Sequence, residues 1–101
     1  MRTIYDQRKP AEIARAVVLV NRNTPFYLHN DKVTRKLPDG RKQEGCSLKL
    51  SLRNENMHRW DNWSNYLLTT TVSALELHGY QVHVVTTAFN RRRVHVFNAH
   101  E

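Results

Sequence analysis

Ser47-Leu48-Lys49-Leu50-Ser51-Leu52-Arg53 is the stretch that decides the fold. Leu48, Leu50 and Leu52 alternate with Ser47, Lys49, Ser51 and Arg53. Successive side chains of a β-strand point to opposite faces, so a period of two makes one face apolar and the other wet. The apolar face needs a cover, which the rest of the chain must supply.

Just upstream, Pro38-Asp39-Gly40 is strong turn chemistry, and Gly45 is expected to close a polar loop. Lys32 to Leu37 precedes the turn, so residues 32–53 are expected to form a β-hairpin with a long basic loop. Thr24 to His29 reads as a separate short strand, bounded by Asn21-Arg22-Asn23 and Asn30-Asp31. Pro10-Ala11-Glu12 is good helix-start material, whereas Val17-Val18-Leu19-Val20 is β-branched and favours a strand. The expectation is a helical turn at 10–15 running into a strand at 16–21.

Downstream, Asn54 or Asn56 can cap a helix, and Gly79 can stop it with a left-handed residue. Met57, Trp60, Leu67, Leu68, Thr71, Ala74, Leu75 and His78 share one broad side at helical spacing. After Gly79, residues 81–89 and 92–98 pair as a second hairpin around Asn90-Arg91. The fold class is therefore α+β: a mainly antiparallel sheet, one long helix of about 56–78 packed on one face, and a C-terminal β-hairpin. The helix buries Leu48, Leu50 and Leu52, and Ser47, Lys49, Ser51 and Arg53 line the opposite face.

The chain has 101 residues, 40% hydrophobic, with three Gly and three Pro. This suits one compact domain, 1–101, rather than a disordered basic tail. Cys46 is the single cysteine, which excludes an intrachain disulfide and fits a reducing compartment. The longest apolar run is Ala16 to Val20, and Met1 to Asp6 contains no signal-like apolar stretch. A soluble cytoplasmic protein with no membrane partner is expected.

The formal net charge is +7, with Arg outnumbering Lys eleven to five. Residues 31–53 carry +4, while 54–80 carry −2. The positive charge thus belongs to the expected strands and loops rather than to the expected helix. Such an excess suits phosphate or an acidic protein surface, and the planar guanidinium suits either anion. The candidate binding residues are Ser47, Lys49, Ser51 and Arg53 on the sheet face, with Tyr27 as a stacking platform. Arg91, Arg92 and Arg93 at the hairpin tip join them, together with Arg35, Lys36, Arg41 and Lys42 around the first loop. Trp63 and Tyr66, at the edge of the helix, are candidate protein contacts.

Catalytic and metal readings are weaker. The six His match neither HExxH nor a Cys/His finger, and there is no GxSxG, P-loop or GxGxxG. No cofactor or metal is expected. A metal-independent nuclease with His83 or His95 as base is chemically conceivable, but the expectation is a protein without catalytic activity. Two classes fit: a small nucleic-acid-binding protein, with single strands slightly preferred, and a phage or mobile-element inhibitor docking on an acidic surface of a larger machine.

Overall fold

The computed structural model describes residues 8–21, 25–53, 59–61, 63–88 and 91–99. The elements in chain order are α1 (Arg8–Asn21), β1 (Phe26–Lys36), β2 (Lys42–Arg53), β3 (Arg59–Asp61), α2 (Asn65–Leu77), β4 (Tyr80–Thr86) and β5 (Arg92–Asn98). The protein is α+β, with an antiparallel sheet of order β1-β2-β5-β4. Strand β3 adds to the end of β2, placing Ser51 opposite Asp61 and Arg53 opposite Arg59.

Strand β2 sits at the centre, and its alternation divides the sheet. Cys46, Leu48 and Leu50 are fully buried and join Val94 and Val96 of β5 in the core. Phe26 and Leu28 of β1, Leu52 of β2, and Tyr80 and Val82 of β4 extend the same apolar face. Two helices cover it. Ala11, Ala14 and Val18 come from α1, and Leu67, Thr71 and Leu75 from α2. In both sets the spacing of three or four residues puts the side chains on one helical stripe. No described helix is long and apolar enough to cross a membrane.

The structure departs from the sequence expectation in four places. Residues 16–21 continue α1 rather than forming a strand. β-Branched residues disfavour a helix only weakly, and burial of Val18 beside Ala11 and Ala14 outweighs that preference. The expected strands at 24–29 and 32–37 are one strand, β1, which pairs with β2 from Phe26↔Leu52 to Lys36↔Lys42. Asn30 and Asp31 can end a strand, but here a continuous partner holds both, opposite Leu48 and Ser47. The basic loop is short as a result: Leu37 N–H donates to Arg41 O at 2.7 Å, around Gly40 at φ 88°. Asp39 accepts from the Arg41 backbone and guanidinium, which holds its carboxyl below the usual range.

Gly45 belongs to β2 and closes no loop. A Cβ there would strike the Phe97 ring and the Val96 carbonyl, so glycine is required for β2 and β5 to approach. The fourth departure concerns the expected helix of 56–78. Helix α2 begins at Asn65, where Ser64 Oγ accepts from Leu67 N–H at 3.2 Å, and β3 occupies part of the preceding stretch. The candidate caps Asn54 and Asn56, and Met57, lie outside the described residues. Gly79 does take the left-handed conformation expected of it, at φ 89°.

Truncating Leu50 to Ala should cost about 2–5 kcal/mol in denaturant unfolding, whereas Lys49→Ala should stay within about 0.5 kcal/mol. Gly45→Ala should lose about 1–3 kcal/mol by overpacking against Phe97 and the Val96 backbone. Equal losses at positions 49 and 50 would contradict the division of β2 into two faces.

Candidate nucleic-acid interface

The sheet face away from the helices has no covering element among the described residues. It collects the odd-numbered residues of the paired strands, and the register sets them in rows. One row runs Asp31, Ser47, His95, His83 across β1, β2, β5 and β4. Another runs Val33, Gly45, Phe97, Gln81. On the other side of the first row, His29 faces Lys49 and Tyr27 faces Ser51.

The end nearest the β1–β2 turn is strapped by Arg35. Its guanidinium lies over the Phe97 ring, 4.2 Å from the centroid, where the ring quadrupole attracts a cation. Nε donates to Gln43 Oε1 at 2.7 Å, Nη1 lies 3.1 Å from His83 Nε2, and Nη2 bonds Gln81 Oε1. Gln43 in turn donates to the Asn98 carbonyl at 2.6 Å. A side chain from the first strand thus reaches the last one and helps to bury Phe97. Arg35 is occupied within the protein, unlike the loop cation expected from sequence. Lys36, Arg41 and Lys42 are exposed at the turn, where Arg41 pairs with Asp39.

Beyond the strap the face is more open. Tyr27 is 48% exposed, and its ring is tilted 38° to that of His29 at 6.4 Å. Lys49 is half-buried, and Ser47 and Ser51 are buried between longer side chains. The side chain of Arg53 lies outside the described residues. Arg93 reaches from β5 to Asp31 Oδ2 of β1 at 3.4 Å, crossing above β2.

Strand alternation separates the three consecutive arginines. Arg91 is exposed before β5 begins. Arg92 turns toward the helix side, donating to Asn65 Oδ1 at 2.7 Å and to the Trp63 carbonyl. Arg93 turns to the open face. The expected finger of three guanidiniums is therefore not formed: β5 starts at Arg92, and neighbouring strand residues diverge.

Trp63 differs from its expected position at a helix edge. It is 2% exposed and belongs to the core. Its indole N–H donates to the Leu48 carbonyl at 3.2 Å. Leu48 is where pairing of β2 with β5 ends, before pairing with β3 begins at Ser51. An aromatic with a polar handle suits such a place. Tyr66 is 65% exposed on α2.

Three residues of the open face, His29, Asp31 and His95, were not among the sequence candidates for binding. The alternation that singled out Lys49 runs through them too; the apparent turn at Asn30-Asp31 hid it for His29 and Asp31 of β1. His83 and His95 are direct cross-strand partners. Burial lowers the pKa of His95 below its ordinary 6.5, and the nearby charges of Arg93 and His83 add to the effect. Among the described residues, no three or more His, Cys, Asp or Glu are grouped to hold a metal ion.

Because His95 binds its proton less tightly when folded, the unfolded chain takes up protons first as the pH falls. Its contribution therefore holds above pH 6.5 and is lost on acidification through that value toward its lower folded pKa. Denaturation series at about pH 7 and pH 5 should show a smaller loss for His95→Gln than for the parent protein. An unchanged pH slope would rule His95 out as a source of it. Arg92→Ala should cost about 1–3 kcal/mol through its lost bonds to Trp63 and Asn65, and Arg91→Ala less than about 0.5 kcal/mol.

Comparison with family models, with curated proteins and with solved structures finds no match to this chain.

Proposed function

We propose that this is a small non-catalytic nucleic-acid-binding protein that takes single strands on its open sheet face. The observation that carries the reading is the composition of that face. Lys49, Arg93 and Arg35 stand there with His29, His83 and His95, against one carboxylate, Asp31, among its described side chains. Cations gathered on one surface attract a polyanion through release of its condensed counterions. An uncovered antiparallel sheet also lets unpaired bases lie flat on side-chain rings while the backbone follows the charge.

Tyr27 and His29 supply adjacent rings at one margin of the face, and Lys49 lies directly across from His29. That order, rings at the edge and cations toward the middle, suits a strand whose bases point toward β1 and whose phosphates run along β2 and β5. Ser51, opposite Tyr27, adds a hydroxyl. Arg91, Lys36 and Lys42 extend the field from the periphery. The chemistry required is recognition of the phosphate backbone and of base faces, with no bond made or broken.

Binding to an unstructured oligonucleotide should weaken log-linearly with salt, with a slope of about −0.7 per phosphate contacted. Lys49→Ala, losing one such contact, should make that slope shallower by about 0.7. Tyr27→Ala should leave the slope alone and weaken binding by about 1–3 kcal/mol, the worth of a stacked base. Fluorescence anisotropy over a salt series reads all three. No binding at low salt, or binding indifferent to salt, would sink this reading. A stoichiometric, nuclease-resistant acidic partner captured from lysate would instead favour a protein-directed modulator.

A further inference from the structure

Ser47 is 2% exposed at the middle of the open face, and its hydroxyl is buried with no hydrogen-bond partner. A buried hydroxyl without a partner forfeits its hydration for nothing in return. Its cross-strand neighbours are Asp31 on β1 and His95 on β5. One row along lie Lys49, two residues on in β2, His29 opposite it, and Arg93, two residues from His95. Because β2 runs between β1 and β5, the Arg93–Asp31 bridge passes over β2 beside Ser47. That bridge is a single contact of 3.4 Å, and the Asp31 side chain is 67% exposed. An ion pair so long and so wet holds weakly.

We propose that Ser47, Arg93 and His95 form a seat for one backbone phosphate, closed in the free protein by the Asp31 carboxylate. The inference deepens the nucleic-acid reading and rests on it for the source of the phosphate. A phosphodiester arriving at the face competes with Asp31 for the Arg93 guanidinium, which can take two phosphate oxygens in place of one carboxylate contact. Release of Asp31 uncovers Ser47, whose hydroxyl then donates to a phosphate oxygen and gains the partner it lacks. His95, whose pKa is lowered by burial and by Arg93 and His83, can donate a ring N–H, and the incoming anion favours its charged form. Lys49 and His29 flank the seat on one side. On the other, His83 is engaged by Arg35. Asp31 thus acts as an internal stand-in for phosphate.

The test compares the parent protein with Ser47→Ala, Asp31→Asn and Glu44→Gln. The last makes the same charge change on β2 but on the opposite face, where Glu44 pairs with Lys32. With a labelled oligothymidine at low salt, Ser47→Ala should bind about tenfold more weakly while unfolding at or above the parent midpoint. Asp31→Asn should bind about fivefold more tightly, and Glu44→Gln should change affinity by less than about twofold. Parent-like affinity in Ser47→Ala, or equal effects of Asp31→Asn and Glu44→Gln, would overturn the seat. A parent protein that ignores the oligonucleotide would remove the nucleic-acid reading, and inorganic phosphate then decides the seat by itself. A saturable shift of the His95 ring resonances, abolished in Ser47→Ala, supports it; an unmoved His95 refutes it.

Discussion

Strand β2 is hydrogen-bonded on both sides, and its side chains must alternate. Everything else in the molecule answers to that constraint. Cys46, Leu48 and Leu50 leave no choice but to bury one face, so both helices lie there, and Trp63 is drawn under them to bond the Leu48 carbonyl. The same pleat sends Ser47, Lys49 and Ser51 the other way. A slip of one residue against β1 or β5 would exchange the two sets and lose the core together with the charged face.

The open face is organised rather than merely solvated. Gly45 lets β5 approach, Phe97 fills the room above it, and Arg35 closes over the ring from the far strand. The contacts to Gln43, Gln81 and His83 engage each of the three guanidinium nitrogens once. One end of the face is thus fixed by the protein's own side chains, and the cations Lys49 and Arg93 lie beyond it. In the proposed nucleic-acid reading, preorganisation of this kind would limit the cost of ordering side chains on binding.

How much of this was legible in the chain depends on how local each signal is. The period of two in 47–52 told the helix-covered face from the opposite one, and Tyr27 lies on that opposite face, as expected if Phe26 and Leu28 point inward. Pro38-Asp39-Gly40 located its turn, and Gly79 the end of α2. Most readings that failed needed a distant partner; the arginine finger failed instead through the local alternation of β5. Val17 and Val18 are helical because α1 packs against α2 and the sheet, which their own propensities do not express. Asn30-Asp31 carries turn chemistry that a long neighbouring strand overrides. Trp63 is buried in a core built from distant elements, where its N–H finds a carbonyl of β2 fifteen residues away. In the site, Lys49 was visible from its own strand. The meeting of Asp31 with Arg93, 62 residues apart, exists only through two strand pairings.

The two borders of the sheet are unlike. The outer strand β1 carries Asp31, Lys32, Arg35 and Lys36 along its length, the kind of charge that discourages strand addition. At the other end of the order, β4 reads Tyr-Gln-Val-His-Val-Val-Thr, with no Asp, Glu, Lys or Arg and with Val84 and Val85 partly exposed. Strand β4 thus has no local charged guard, and the net charge of +7 on the chain as a whole supplies a long-range repulsion between copies instead. Added salt shortens that repulsion to about 8 Å at physiological ionic strength. As a colloid, the chain is protected least where salt is highest, because its uncharged border carries no short-range guard of its own.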